Sequence, residues 1–156
     1  MRKLFVVTSW VVLVDVILQF YFAGVGAFAI PQTEDSFSLH SLNSNFVMLL
    51  ALVNAVVAAL ARAGWRTALL AALPTVLALF QIVIFMIAGL FLPPDTTFDA
   101  NGTPTDVHGL PLFVVAVHVL NGLAVLGVSV LVLRRARAYA TTIQLGGLIE
   151  QRTVAS

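Results

Sequence analysis

The chain has 156 residues, 60% of them hydrophobic and only 10% charged, with a formal net charge of +1. A soluble domain carries about 25% charged residues, so an ordinary soluble globular domain is excluded, and with no basic patch so is a nucleic-acid-binding role. Cysteine is absent, which excludes disulfides, Cys-ligated zinc, iron–sulfur clusters, thiol redox chemistry and covalently attached c-type haem.

Four apolar stretches run over about 4–29, 43–61, 67–92 and 110–133. Crossing a hydrocarbon core of ~30 Å takes ~20 apolar residues at ~1.5 Å each. The chain therefore reads as an all-α integral membrane protein: an up-down-up-down four-helix bundle over residues 1–135, followed by a tail over 136–156. The first stretch follows Met1-Arg2-Lys3 and ends near Ala27-Phe28-Ala29, the outline of a signal peptide with an A-x-A site. Its apolar run is longer than a usual signal core and contains Asp15 and Gln19, so a retained membrane helix is expected.

Pro31 ends the first span, and a polar, acidic connection leads to His40-Ser41-Leu42-Asn43 at the entry of the second. Arg62-Ala63-Gly64-Trp65-Arg66 is a tight turn that makes spans two and three antiparallel neighbours. Span three contains Pro74, which either kinks it or sits in its first turns. Pro93-Pro94-Asp95 stops it, and a turn-rich segment with Asn101-Gly102, Pro104 and His108 leads into span four. Asn101-Gly102-Thr103 matches the glycosylation triplet, which carries no weight without a eukaryotic context. The tail reads as a short interfacial helix with Ile143, Leu145, Leu148 and Ile149 toward the bilayer surface.

The charges orient these spans. Arg2 and Lys3 precede span one, Arg62 and Arg66 join spans two and three, and Arg134, Arg135, Arg137 and Arg152 follow span four. The other two connections hold Glu34, Asp35, Asp95, Asp99 and Asp106, with no Lys or Arg. Basic residues in short loops stay in the cytoplasm. The expectation is a multi-pass protein of a bacterial inner membrane with both termini cytoplasmic.

The two halves read as a repeat. Span one carries Gln19 and then Ala23-Gly24; span three carries Gln81 and then Ala88-Gly89. Span two opens with His40-x-Leu-Asn43, and span four contains His118-x-Leu-Asn121. Spans one and three run the same way, so the repeat axis would lie along the membrane normal.

Polar side chains within these spans form a candidate ligand-binding set: Asp15, Gln19, Asn54, Gln81, His118 and Asn121. An aspartate at mid-span costs at least ~2.5–3.5 kcal/mol, so none of the six should face lipid. Two readings stand beside each other. Asn and Gln can be interhelical glue worth roughly 0.6 kcal/mol per bond. Asp15 can be a protonated acid bonded to a neighbour, or a functional carboxyl in a proton path. His118 is the best candidate for chemistry, since a neutral imidazole can ligate metal through one nitrogen while Asp15, Gln19 or Gln81 accepts from the other. Haem b held by His118 and His40 is one possibility, with His108 as an alternative partner and the unequal depths of His118 and His40 against the pairing. Sequence motifs for catalysis such as HExxH, GxSxG or GxGxxG are absent, so the question of an enzyme stays open.

The run Gln19-Phe20-x-x-Ala23-Gly24, with His-x-x-Asn at His40 and again at His118, resembles a family of small four-pass bacterial membrane proteins without assigned function. The composition is similar to that of actinobacteria. The arrangement also resembles b-type cytochromes built from duplicated two-helix units, departing from them in placing one histidine, not two, well inside a span. The reading is a small membrane protein whose polar interior binds a ligand, haem or a quinone, as an accessory or electron-transfer subunit of a larger complex or homo-oligomer. A purely structural subunit, or a proton-coupled carrier using Asp15, are the alternatives.

Overall fold

A computed structural model describes residues 1–98, 104–105 and 108–154, apart from the side chains of Glu34 and of 142–154. The fold is all-α. Helix α1 spans Arg2–Ala27, α2 Ser38–Leu60, α3 Trp65–Gly89 and α4 Leu110–Val154. A short 3-10 helix, Glu34–Phe37, precedes α2. Each long helix is apolar enough, over at least 18 residues, to cross a membrane, and the chain is a multi-pass membrane protein. Trp10, Tyr21, Phe46, Leu69, Met86 and Leu123 are exposed around the bundle, as lipid-facing side chains must be when the interior is filled by smaller ones.

Consecutive helices pack side by side, and α4 closes the ring against α1, while the diagonal pairs approach each other through side chains alone. This cyclic order fits an approximate two-fold axis along the bundle that relates α1–α2 to α3–α4. The interior is built from small residues. Val12, Val16, Val47, Ala51 and Val125 form the middle of the core; Phe5, Ala58, Ala61, Ala71, Val132 and Ala136 form the end near the termini. There the Tyr139 hydroxyl donates toward the Ala61 and Arg62 carbonyls, 2.9 and 3.0 Å away, where α2 leaves carbonyls unsatisfied. The Arg2 guanidinium lies over the same ring at 5.2 Å, so one side chain of α4 ties α1 to the end of α2.

Two glycines set the connections. Gly64 at φ 87 begins α3 after the turn from α2, a conformation that costs other residues a steric penalty. Gly26 is buried, and a Cβ there would stand 2.6 Å from the Ser36 carbonyl oxygen and 2.6 Å from Phe37 Cδ1. The missing side chain lets the 3-10 helix lie directly on the end of α1. Pro74 lies inside α3, fully buried. The tail continues α4 as helix to Val154. At ~1.5 Å per residue, the 45 residues of α4 extend ~68 Å, over twice a ~30 Å hydrocarbon core. The side chains of Ile143, Leu145, Leu148 and Ile149 lie outside the described residues, as do Asn101-Gly102-Thr103, Asp99 and Asp106.

Asn54 sits in a separate polar layer near the termini. Its Oδ1 accepts from Thr8 Oγ1 at 2.6 Å and Ser9 Oγ at 3.2 Å. Both hydroxyls also reach the Phe5 carbonyl, at 3.2 and 2.7 Å. Either can therefore keep a partner if Asn54 is lost. Asn54→Ala is expected to cost no more than ~0.6–1.7 kcal/mol, the span found for interhelical polar contacts in membranes, measured by reversible unfolding in mixed micelles. A loss above about 3 kcal/mol would show that the layer is a cooperative network.

Candidate functional site

Toward the end of the bundle opposite the termini, the remaining polar residues assemble into two matching clusters. In the first, Gln19 of α1 meets His40 and Asn43 of α2. Gln19 Nε2 donates to the His40 carbonyl at 3.0 Å and lies 3.3 Å from His40 Nε2. His40 Nδ1 is 3.1 Å from the Gln19 carbonyl oxygen. Asn43 Nδ2 donates to Gln19 Oε1 at 2.9 Å and to the Asp15 carbonyl at 3.3 Å. In the second, Gln81 of α3 meets His118 of α4. Gln81 Nε2 donates to the His118 carbonyl at 3.3 Å, and His118 Nδ1 is 2.8 Å from Gln81 Oε1. Asn121 Nδ2 donates to the Leu77 carbonyl at 2.8 Å.

The correspondence extends to individual atoms. In each half the glutamine amide donates to the histidine carbonyl, and the asparagine three residues after the histidine donates to the carbonyl one turn before the glutamine. Asp15 pairs with Leu77, Gln19 with Gln81, His40 with His118 and Asn43 with Asn121. Each set satisfies an amide or imidazole that lipid would leave unpaired, at a cost of several kcal/mol per group.

The two clusters face each other. The His40 and His118 rings stand nearly edge-to-face with centroids 5.8 Å apart. Their positions along the sequence suggest unequal depths; the structure makes them neighbours because α2 already includes His40 in its first turn and each imidazole reaches toward the bundle axis. Phe85 packs on His118 at 5.1 Å, and Phe37 on His40 at 6.4 Å. Both histidines and both glutamines line a cavity of about 410 Å³, closed at its inner end by Val16, Val47, Ala78 and Val125. Most of its remaining lining comes from α2 and α3, where Ser41, Ser44, Asn45, Ile82 and Phe85 are exposed. The mouth thus opens sideways between these two helices. A largely apolar cavity with a few convergent polar groups is the usual form of a small-ligand site.

Chemical logic fixes the imidazole tautomers. A carbonyl or amide oxygen only accepts, so Nδ1 carries the hydrogen in His40 and in His118. In the neutral rings Nε2 is then a bare lone pair. For His118 no donor approaches Nε2 among the described residues, whereas His40 Nε2 has the Gln19 amide beside it.

Of the candidate residues read from sequence, the structure brings Gln19, His40, Gln81 and His118 to one cavity, with Asn121 behind it. Asn54 lies apart with Thr8 and Ser9, Asp15 does not line the cavity, and His108 is exposed before α4. Asp15 is buried, and its Oδ2 meets no hydrogen-bond partner. Asn43 was missed as a site residue, although the repeat names it as the counterpart of Asn121. Ser41, Ser44 and Asn45 at the mouth have no counterpart in the repeat and left no comparable signal.

Residues 19–89 match a family of unknown function, DUF6220. The matched stretch holds Gln19, His40, Asn43 and Gln81, and ends before His118. No curated protein and no solved structure matches the chain.

Proposed function

We propose that this protein is a membrane-embedded binding protein whose cavity between the two Gln–His pairs takes a neutral, lipid-soluble ring compound of the quinone class. Both termini would lie in the cytoplasm of a bacterial inner membrane, because all eight Lys and Arg lie in or beside the segments at that end. The cavity then sits in the opposite leaflet. The observation that carries the reading is the convergence of two tethered imidazoles on one cavity whose mouth opens between α2 and α3. A ligand dissolved in the bilayer can enter there without crossing water, and its apolar tail can stay in lipid.

Haem b is the competing occupant. An Nδ1–H bonded to oxygen, with Nε2 left free, is the usual setting of a metal-bound histidine. Charge favours the quinone-class ring over haem. Haem brings two propionates, and carboxylates in such sites are met by Arg or Lys. The connections at this end of the bundle, 28–37 and 90–109, contain acids and no Lys or Arg. A neutral quinone-class ring carries no such requirement.

The test is to purify the full chain in mild detergent from a membrane containing quinones, record its absorption spectrum, and extract what co-purifies. A stoichiometric quinone-class compound, reduced several-fold or more in His118→Ala, is expected. A Soret band lost in the same variant would replace this reading with haem. An empty extract together with a featureless visible spectrum would favour a structural subunit.

A further inference from the structure

If the cavity takes a quinone-class ring, its donors and acceptors also select between the two redox forms of that ring. Most of the polar hydrogens around the site are already engaged, the Ser41 hydroxyl and one hydrogen each of the Gln81 and Asn45 amides excepted. His118 Nδ1–H goes to Gln81 Oε1, and the Gln81 amide goes to the His118 carbonyl. His40 Nδ1–H goes to the Gln19 carbonyl, and the Gln19 amide goes to the His40 carbonyl. At the mouth, Ser44 Oγ donates to the Ser41 carbonyl at 2.6 Å, and Asn45 Nδ2 points to the same oxygen at 3.4 Å. The inner wall also holds an acceptor that no donor meets, the lone pair on His118 Nε2, which a hydroxyl can satisfy and a carbonyl oxygen cannot.

An oxidised quinone offers two carbonyl oxygens, which only accept. Its reduced form offers two hydroxyls, each able to donate. We infer that the cavity binds the hydroquinone form of a lipid-soluble quinone in preference to the oxidised form, through a hydroxyl that donates to His118 Nε2. This preference rests on the quinone-class function proposed for the cavity. The Gln81 side chain is the positioning residue, because its Oε1 holds the hydrogen on Nδ1 and so keeps Nε2 basic. Phe85, tilted against the His118 ring at 5.1 Å, lines the same cavity and offers an aromatic surface to the bound ring. His40 is the poorer acceptor, since the Gln19 amide already stands 3.3 Å from its Nε2. The preference is one of binding and involves no electron transfer by the protein itself.

The experiment compares three probes with the same decyl tail on the full-length protein in detergent, by anaerobic calorimetry: a benzohydroquinone, the matching benzoquinone, and the hydroquinone dimethyl ether. The ether keeps the ring and removes both donors. The hydroquinone is expected to bind at least about tenfold more tightly than either of the others, the penalty for facing an acceptor with an acceptor. His118→Gln, which returns an N–H donor to the site, is expected to erase that preference, with its melting temperature as the folding control. Equal or tighter binding of the benzoquinone to the wild type overturns the redox preference while leaving the quinone-class function in place. A preference that survives in His118→Gln overturns the role of Nε2. Failure of all three probes to bind the wild type sinks both the preference and the function on which it rests. The wild-type comparison stands whether or not the variant folds.

Discussion

Asp15→Leu is expected to make the protein more stable, by about 1–3 kcal/mol. The carboxyl group is buried in α1, and its Oδ2 has no hydrogen-bond partner. An unsatisfied buried polar group costs about 1–3 kcal/mol, and an aspartate at mid-span is opposed by at least ~2.5 kcal/mol in membrane insertion. Asn43 donates to the Asp15 main-chain carbonyl, a bond leucine keeps, whereas its contact with the carboxyl itself is lost and takes back part of the gain. The second half of the molecule supplies the precedent, since the matching position in α3 is Leu77, whose carbonyl accepts the equivalent bond from Asn121. Unfolding of both proteins in the same mixed micelles measures the difference. A variant less stable than the parent by more than about 1 kcal/mol would mean that the Asn43 contact with the carboxyl outweighs the unpaired Oδ2. A stabilised variant would identify Asp15 as a group kept at a cost to the fold, the signature of a functional carboxyl.

Gly26→Ala is expected to destabilise by about 1–3 kcal/mol, the range for forcing extra atoms into a packed contact. The new Cβ would come within 2.6 Å of both the Ser36 carbonyl oxygen and Phe37 Cδ1. The first of these is main chain, so the 3-10 helix itself has to move. Phe37 also packs on His40, with ring centroids 6.4 Å apart, which transmits the displacement to the cavity. Ligand binding should therefore fall together with stability. Gly24→Ala is the control, because nothing lies within 4 Å of a Cβ at Gly24. A melting temperature for Gly26→Ala equal to that of Gly24→Ala would show that the connection is not seated on α1 as described.

Much of the architecture was legible in the amino-acid order. Four apolar runs of membrane-crossing length give four helices, and the short Arg62–Arg66 turn gives neighbours. The repeat was also visible, in Gln19 with His40 and Gln81 with His118, because a hydrogen-bonded pair inside a membrane needs particular residue types at particular positions. The meeting of His40 with His118 was not legible. Helix starts set depth, and α2 begins before the apolar run does, at Ser38. The fate of Asn54 was hidden for a related reason: its partners Thr8 and Ser9 sit one side of the span, and small hydroxyls in an apolar run do not announce which neighbour they face.

Sequence alone determined that the chain is helical and membrane-crossing, because bilayer thickness and the cost of unpaired polar groups act on every segment separately. Only the tertiary structure decided which polar groups share a layer, that two imidazoles from different halves line one cavity, and that Nε2 of His118 faces no donor there. Those outcomes depend on the rotation and sliding of whole helices against one another, where one turn moves a side chain ~5.4 Å, and such displacements are set by packing between segments far apart in the chain.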